Sequence, residues 1–152
     1  MQEDVIDQLK ALHTRAIDAR NGYQEAVEDA DGKGLTPLFG DMIRLHTGHA
    51  DQLAQALREA GVAPDDDGSF MSTIHRTIMN IRSLFGGLGQ SVLPGLIDGE
   101  ERNRSSYDEI LESPALPASV EKTLSEQRGH LEAAIEKMKA MKELHMKPAA
   151  NM

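Results

Sequence analysis

Apolar residues recur along this chain at steps of three and four, the period of an α-helix that buries one face. From Glu3 to Ala30 they fall at Val5, Leu9, Leu12, Ala16, Ala19, Tyr23, Ala26 and Ala30. Asp31-Gly32-Lys33-Gly34 then supplies a stop, because glycine supports the turn that ends a helix. A second segment opens with Thr36 as N-cap and Pro37 in the first turn. It carries Leu38, Met42, Leu45, His49, Leu53, Ala56 and Leu57 in register and ends at Ala60-Gly61. Beyond the acidic loop from Pro64 to Gly68, a shorter amphipathic helix is predicted from Ser69 to Phe85, stopped by Gly86-Gly87-Leu88-Gly89. The fourth segment, Ser91 to Leu111, has Pro94 in its first turn and a stripe at Ile97, Glu101, Arg104 or Ser105, Asp108 and Leu111. Pro114 and Pro117 separate it from the fifth, Ala118 to Leu144, where Val120, Leu124, Gln127, Leu131, Ala134, Met138 and Met141 share a face.

Four long helices and one short one predict an all-α protein. The short links make antiparallel hairpins of the first two long helices and of the last two. The long connection between these hairpins carries the short helix and has the length to travel back along the bundle. It allows the second and third long helices to run parallel, which is the topology of a ferritin-like antiparallel four-helix bundle. We expect a single such domain over residues 1–146 and a flexible tail over 147–152.

Composition agrees with helices. Aromatic residues are 3% of the chain, Trp is absent, and eight Met join Leu, Ile and Ala as core material. The net charge of −9 argues against nucleic acid and anionic membranes as partners. With no cysteine, disulfides, thiolate metal sites and cysteine nucleophiles are excluded. No signal-peptide pattern and no long apolar run is seen, so a cytoplasmic location is expected. A homo-oligomer is compatible with the methionines at 138, 141 and 146, which suit a core or a dimer seam equally.

Two features invite chemistry. Gly22, Gly48, Gly99 and Gly129 fall near the middle of the four long helices. Each glycine costs a helix about 1 kcal/mol against alanine. A central chamber, close backbone approach or tight helix crossings would account for them. The second feature is the set of histidines. His46-x-x-His49 and Gln127-x-x-His130 occupy the slots where di-iron bundles place two Glu-x-x-His motifs. Glu101 is the candidate carboxylate of the fourth segment, and Asp18 or Glu25 that of the first. Because both Glu-x-x-His motifs lack their glutamate, a bridged di-iron pair is poorly served. A mononuclear zinc or iron site of His46, His49, Glu101 and His130 fits better. Glu101 and Arg104 should pair if both face inward; an exposed salt bridge is the alternative. His13, His75 and His145 have no partner suggested by spacing. Asp65 to Gly68 lacks the closing glutamate of a calcium loop and reads as a helix cap.

The run from Asp18 to Ala30, with Gly22-Tyr23 at its centre, resembles the opening helix of the bacterial DUF2383 family of four-helix-bundle proteins of unknown function. Leu57-Arg-Glu-Ala-Gly61, Gly68 to Arg76, and Asp98-Gly99-Glu100-Glu101 followed by Tyr107 are similar to it too. The resemblance spans residues 5 to 144 and implies a ferritin-like fold with no established reaction. Arg20 and Asn21 make the first helix less acidic than the family pattern implies. The expected function is that of a non-catalytic, stress-associated binding or scaffold protein, without a cofactor. The alternative is a metal-binding bundle with a His/Glu site.

Overall fold

The computed structural model of the chain describes residues 1–27, 34–65 and 92–146. Within them lie four helices and no strand: α1 (Glu3–Ala26), α2 (Thr36–Glu59), α3 (Leu93–Leu111) and α4 (Ala118–Met146). The helix predicted from Ser69 to Phe85, its glycine stop, His75, most of the acidic loop and the tail fall outside the described residues.

Local chemistry explains the boundaries. Glu3 and Asp4 sit in the first turn of α1, where negative charge complements the helix dipole. At the start of α2, Leu35 and not Thr36 holds the cap position, with no side-chain cap hydrogen bond. Leu35 is fully buried, so packing takes that position, and Thr36 and Pro37 move into the first turn. At the far end of α2, Gly61 adopts φ +80°, a left-handed conformation natural to glycine. Pro94 opens α3 within its first two positions, where its missing N–H costs nothing.

Two apolar clusters show how the helices run. One joins Tyr23 and Ala26 at the end of α1 with Phe39 and Met42 at the start of α2, Leu93 and Leu96 at the start of α3, and Met138 late in α4. The other joins Val5 and Leu9, Leu53 and Leu57, Tyr107 and Ile110, and Val120 and Leu124. Thus α1 and α2 are antiparallel, α3 and α4 are antiparallel, and α2 and α3 start at the same end. Each helix packs on two others: α1 on α2 and α3, and α4 on α3 and α2. Accordingly α2 faces α3 across the diagonal of the bundle.

The four glycines do not share one environment. Gly22 and Gly99 are buried, whereas Gly48 and Gly129 are exposed. A Cβ at either exposed position would meet nothing within 4 Å. A chamber or close helix crossing therefore accounts for neither Gly48 nor Gly129. Met138 is core and Met141 is half-buried.

Candidate functional site

Between the apolar clusters the bundle interior turns polar. His46 and His49 come from α2, Glu100 and Asn103 from α3, and Gln127 from α4, all buried. Their spacing explains the common level. His46/His49 and Glu100/Asn103 are each three apart on a helix, so each pair projects from one face. The two helices start at the same end and meet at this height.

Glu100 is the hub. Its Oε2 lies 2.7 Å from His46 Nε2 and accepts a 3.2 Å hydrogen bond from the Tyr23 hydroxyl. Glu100, His46 and Tyr23 are all fully buried. The Tyr23 ring stacks on that of His46 at a centroid distance of 6.0 Å and meets Phe39 edge-on at 5.2 Å. Burial, with the charge and hydrogen bond of Glu100 adding to it, holds the Tyr23 phenol well above its usual range.

A second set ties α4 into this layer. The Tyr107 hydroxyl donates to Gln127 Oε1 at 2.8 Å. The Gln127 amide donates to Gln52 Oε1 at 2.9 Å and to the His49 carbonyl at 3.4 Å. Burial raises the Tyr107 pKa, with Glu100 contributing. His49 Nε2 reaches His130 Nδ1 at 3.4 Å, with the rings stacked at 5.7 Å. Burial, with the imidazoles of His46 and His130 adding to it, pushes the His49 pKa down to about 3. His49 is therefore neutral at physiological pH. Not every polar atom here is satisfied. His46 Nδ1, His49 Nδ1, Glu100 Oε1 and Asn103 Oδ1 are buried without a hydrogen bond.

The structure brings His46 and His49 into the interior as expected and places His130 at its exposed edge. It does not bring Glu101 there. Glu101 is half-exposed, 3.7 Å from Arg104 and 3.4 Å from Lys139, while Arg104 pairs at 2.6 Å with Glu132 of α4. The inward carboxylate of α3 is Glu100. Ile97 is buried as expected, but from there on the buried face follows Glu100, Asn103, Tyr107 and Ile110, one residue earlier than the expected stripe. No apolar residue occurs between Ile97 and Tyr107, so periodicity alone left the phase of this stretch open. Counting back from Tyr107 and Ile110 at heptad spacing gives Asn103, Glu100 and Leu96, the signal that finds the site.

On α1, Asp18 is buried and Glu25 is exposed. His13 is buried as well. Among the described residues, no three His, Asp or Glu side chains are arranged to hold a metal ion. A bridged di-iron centre needs glutamates from all four helices. Among the described residues, the buried acidic side chains are Glu100 and Asp18. The donors do not fit such a centre. No described helix is long and apolar enough to cross a membrane.

These features define a four-helix bundle whose interior carries a hydrogen-bonded polar layer between two apolar clusters. The chain belongs to the DUF2383 family, a domain of unknown function, whose family model matches residues 4–113. A search of curated proteins found none that matches the chain.

Proposed function

We propose that the protein is a ferritin-like bundle that works as a non-catalytic binding or scaffold protein, without a di-iron centre. The observation that carries this reading is the binding of Glu100 to His46 and Tyr23. A carboxylate held by two side chains from two other helices fixes the relative positions of those helices. The parallel run of α2 and α3 supports the ferritin-like topology, in which the second and third bundle helices share a direction. The test is metal analysis of untagged protein. Substoichiometric metal, unchanged by His46→Ala, is expected. One tightly held metal per chain, lost in that variant, would overturn the reading.

A second reading has its own observation. His46 Nδ1, His49 Nδ1 and Glu100 Oε1 are buried without hydrogen bonds, and a carboxylate oxygen or an imidazole nitrogen in its unprotonated tautomer suits a cation. In this reading His46, His49, Glu100 and His130 hold zinc or a mononuclear iron. The same metal analysis separates the two.

A further inference from the structure

The seam between α1 and α2 opens on its outer side into a groove of about 410 Å³, within the size range of small-molecule sites. Ile17, Ala50 and Ala54 line it with apolar surface, and His13, Arg20, Asp51 and Arg58 contribute polar groups. None of the residues that line it belongs to the polar layer.

The arginines of this groove differ from four of the five other arginines among the described residues. Arg44, Arg102, Arg104 and Arg128 each lie against a carboxylate: Asp41, Asp98, Glu132 and Asp108 respectively. Arg15 donates to the Ser106 hydroxyl. Among the described residues, neither Arg20 nor Arg58 has a carboxylate partner. Arg20 is instead anchored on the neutral Asn21 amide, its Nε and one terminal nitrogen donating to Oδ1 at 3.3 and 3.1 Å. That contact orients the guanidinium without neutralising it.

A chain with 25 acidic and 16 basic residues offers carboxylates freely. Of the three described arginines without one, Arg15 is held by the Ser106 hydroxyl, and the other two, Arg20 and Arg58, line the same groove. Guanidinium groups match carboxylate and phosphate oxygens with paired N–H donors. Asp51 at the exposed rim leaves the lining one positive charge in excess, with His13 counted as neutral.

We propose that the α1/α2 groove binds a small organic oxyanion, a phosphate- or carboxylate-bearing metabolite, between Arg20 and Arg58. Pyrophosphate and citrate serve as probes in calorimetric titrations of the full chain. Sodium chloride holds the ionic strength constant, so general screening is the same throughout. Saturable binding of either probe is expected, weakened roughly tenfold or more by Arg20→Gln and by Arg58→Gln, as loss of a charge-assisted contact implies. Arg15→Gln, outside the groove, should leave binding unchanged, and Asp51→Asn should tighten it. Pyrophosphate alone binding assigns the phosphate class, and citrate alone the carboxylate class. Circular dichroism shows that each variant is folded. Failure of both probes to saturate, or binding indifferent to both arginine substitutions, overturns the proposal.

Discussion

His46 and Glu100 touch at 2.7 Å across the diagonal of the bundle, although α2 and α3 are not packed neighbours. The contact joins the two hairpins through their shared centre. A residue at either position therefore reports on the docking of one hairpin against the other.

Glu100→Ala should be strongly destabilising. It leaves the His46 and Tyr23 donors without their acceptor in a buried site, at a cost of about 1–3 kcal/mol for each unmet group. A loss of roughly 2–5 kcal/mol is expected from urea denaturation. Glu100→Gln keeps an acceptor oxygen and should lose less. Equal stability of Glu100→Ala and the parent would show that the hub carries no energy. A Tyr23→Phe cycle with Glu100→Ala should show coupling, because the hydroxyl loses nothing further once its acceptor is gone.

The only two tyrosines of the chain, Tyr23 and Tyr107, are both buried and both raised in pKa. Absorbance of tyrosinate should not grow in around pH 10 while the fold persists. It should appear together with loss of helical ellipticity. The unfolded chain releases these protons at an ordinary pH and the folded chain does not, so stability declines as pH rises above 10. A tyrosine titrating near pH 10 with ellipticity intact would contradict the buried hydroxyl geometry.

His49 gives the acid side its slope. Its pKa falls from an ordinary 6.5 to about 3 on folding, so the unfolded chain binds the proton first. Stability from this group is intact above pH 6.5 and is lost as pH falls towards 3. The loss is about 1.4 kcal/mol per pH unit across that window. Denaturation of metal-free protein at pH 7, 5 and 4 should show a shallower decline for His49→Gln than for the parent. Parallel declines would place the acid sensitivity elsewhere.

Gly48→Ala and Gly129→Ala should each stabilise the protein by about 0.5–1 kcal/mol. Both glycines sit in exposed helical positions with open space where a Cβ would go. A rise in melting temperature in each variant checks this. Destabilisation in either variant would contradict the open space seen at these positions.

Much of this bundle is written in the spacing of its apolar residues. Val5, Leu9, Leu12, Ala16, Ala19 and Tyr23 mark the buried face of α1, and Val120, Leu124, Leu131 and Met138 that of α4. Such stripes are local and repeat often enough to set helix, face and turn. Gln127, the polar member of the α4 stripe, was also legible, because apolar residues on both sides hold its phase. The centre of α3 was not. Its run from Asp98 to Ser106 has no apolar residue to mark a face, and an error of one residue exchanges Glu100 for Glu101. Packing of Tyr107 and Ile110 against the other helices decided it.

The sequence by itself determined four long helices, their hairpin pairing and His46 and His49 as interior candidates, since each follows from local period and turn chemistry. Only the tertiary structure decided which carboxylate meets them and which glycines lie on the surface. It alone brought Arg20 and Arg58, which have no carboxylate partner among the described residues, into one groove. Those outcomes depend on the rotation of each helix about its axis. That rotation is set by contacts between residues far apart in the chain, such as His46 and Glu100.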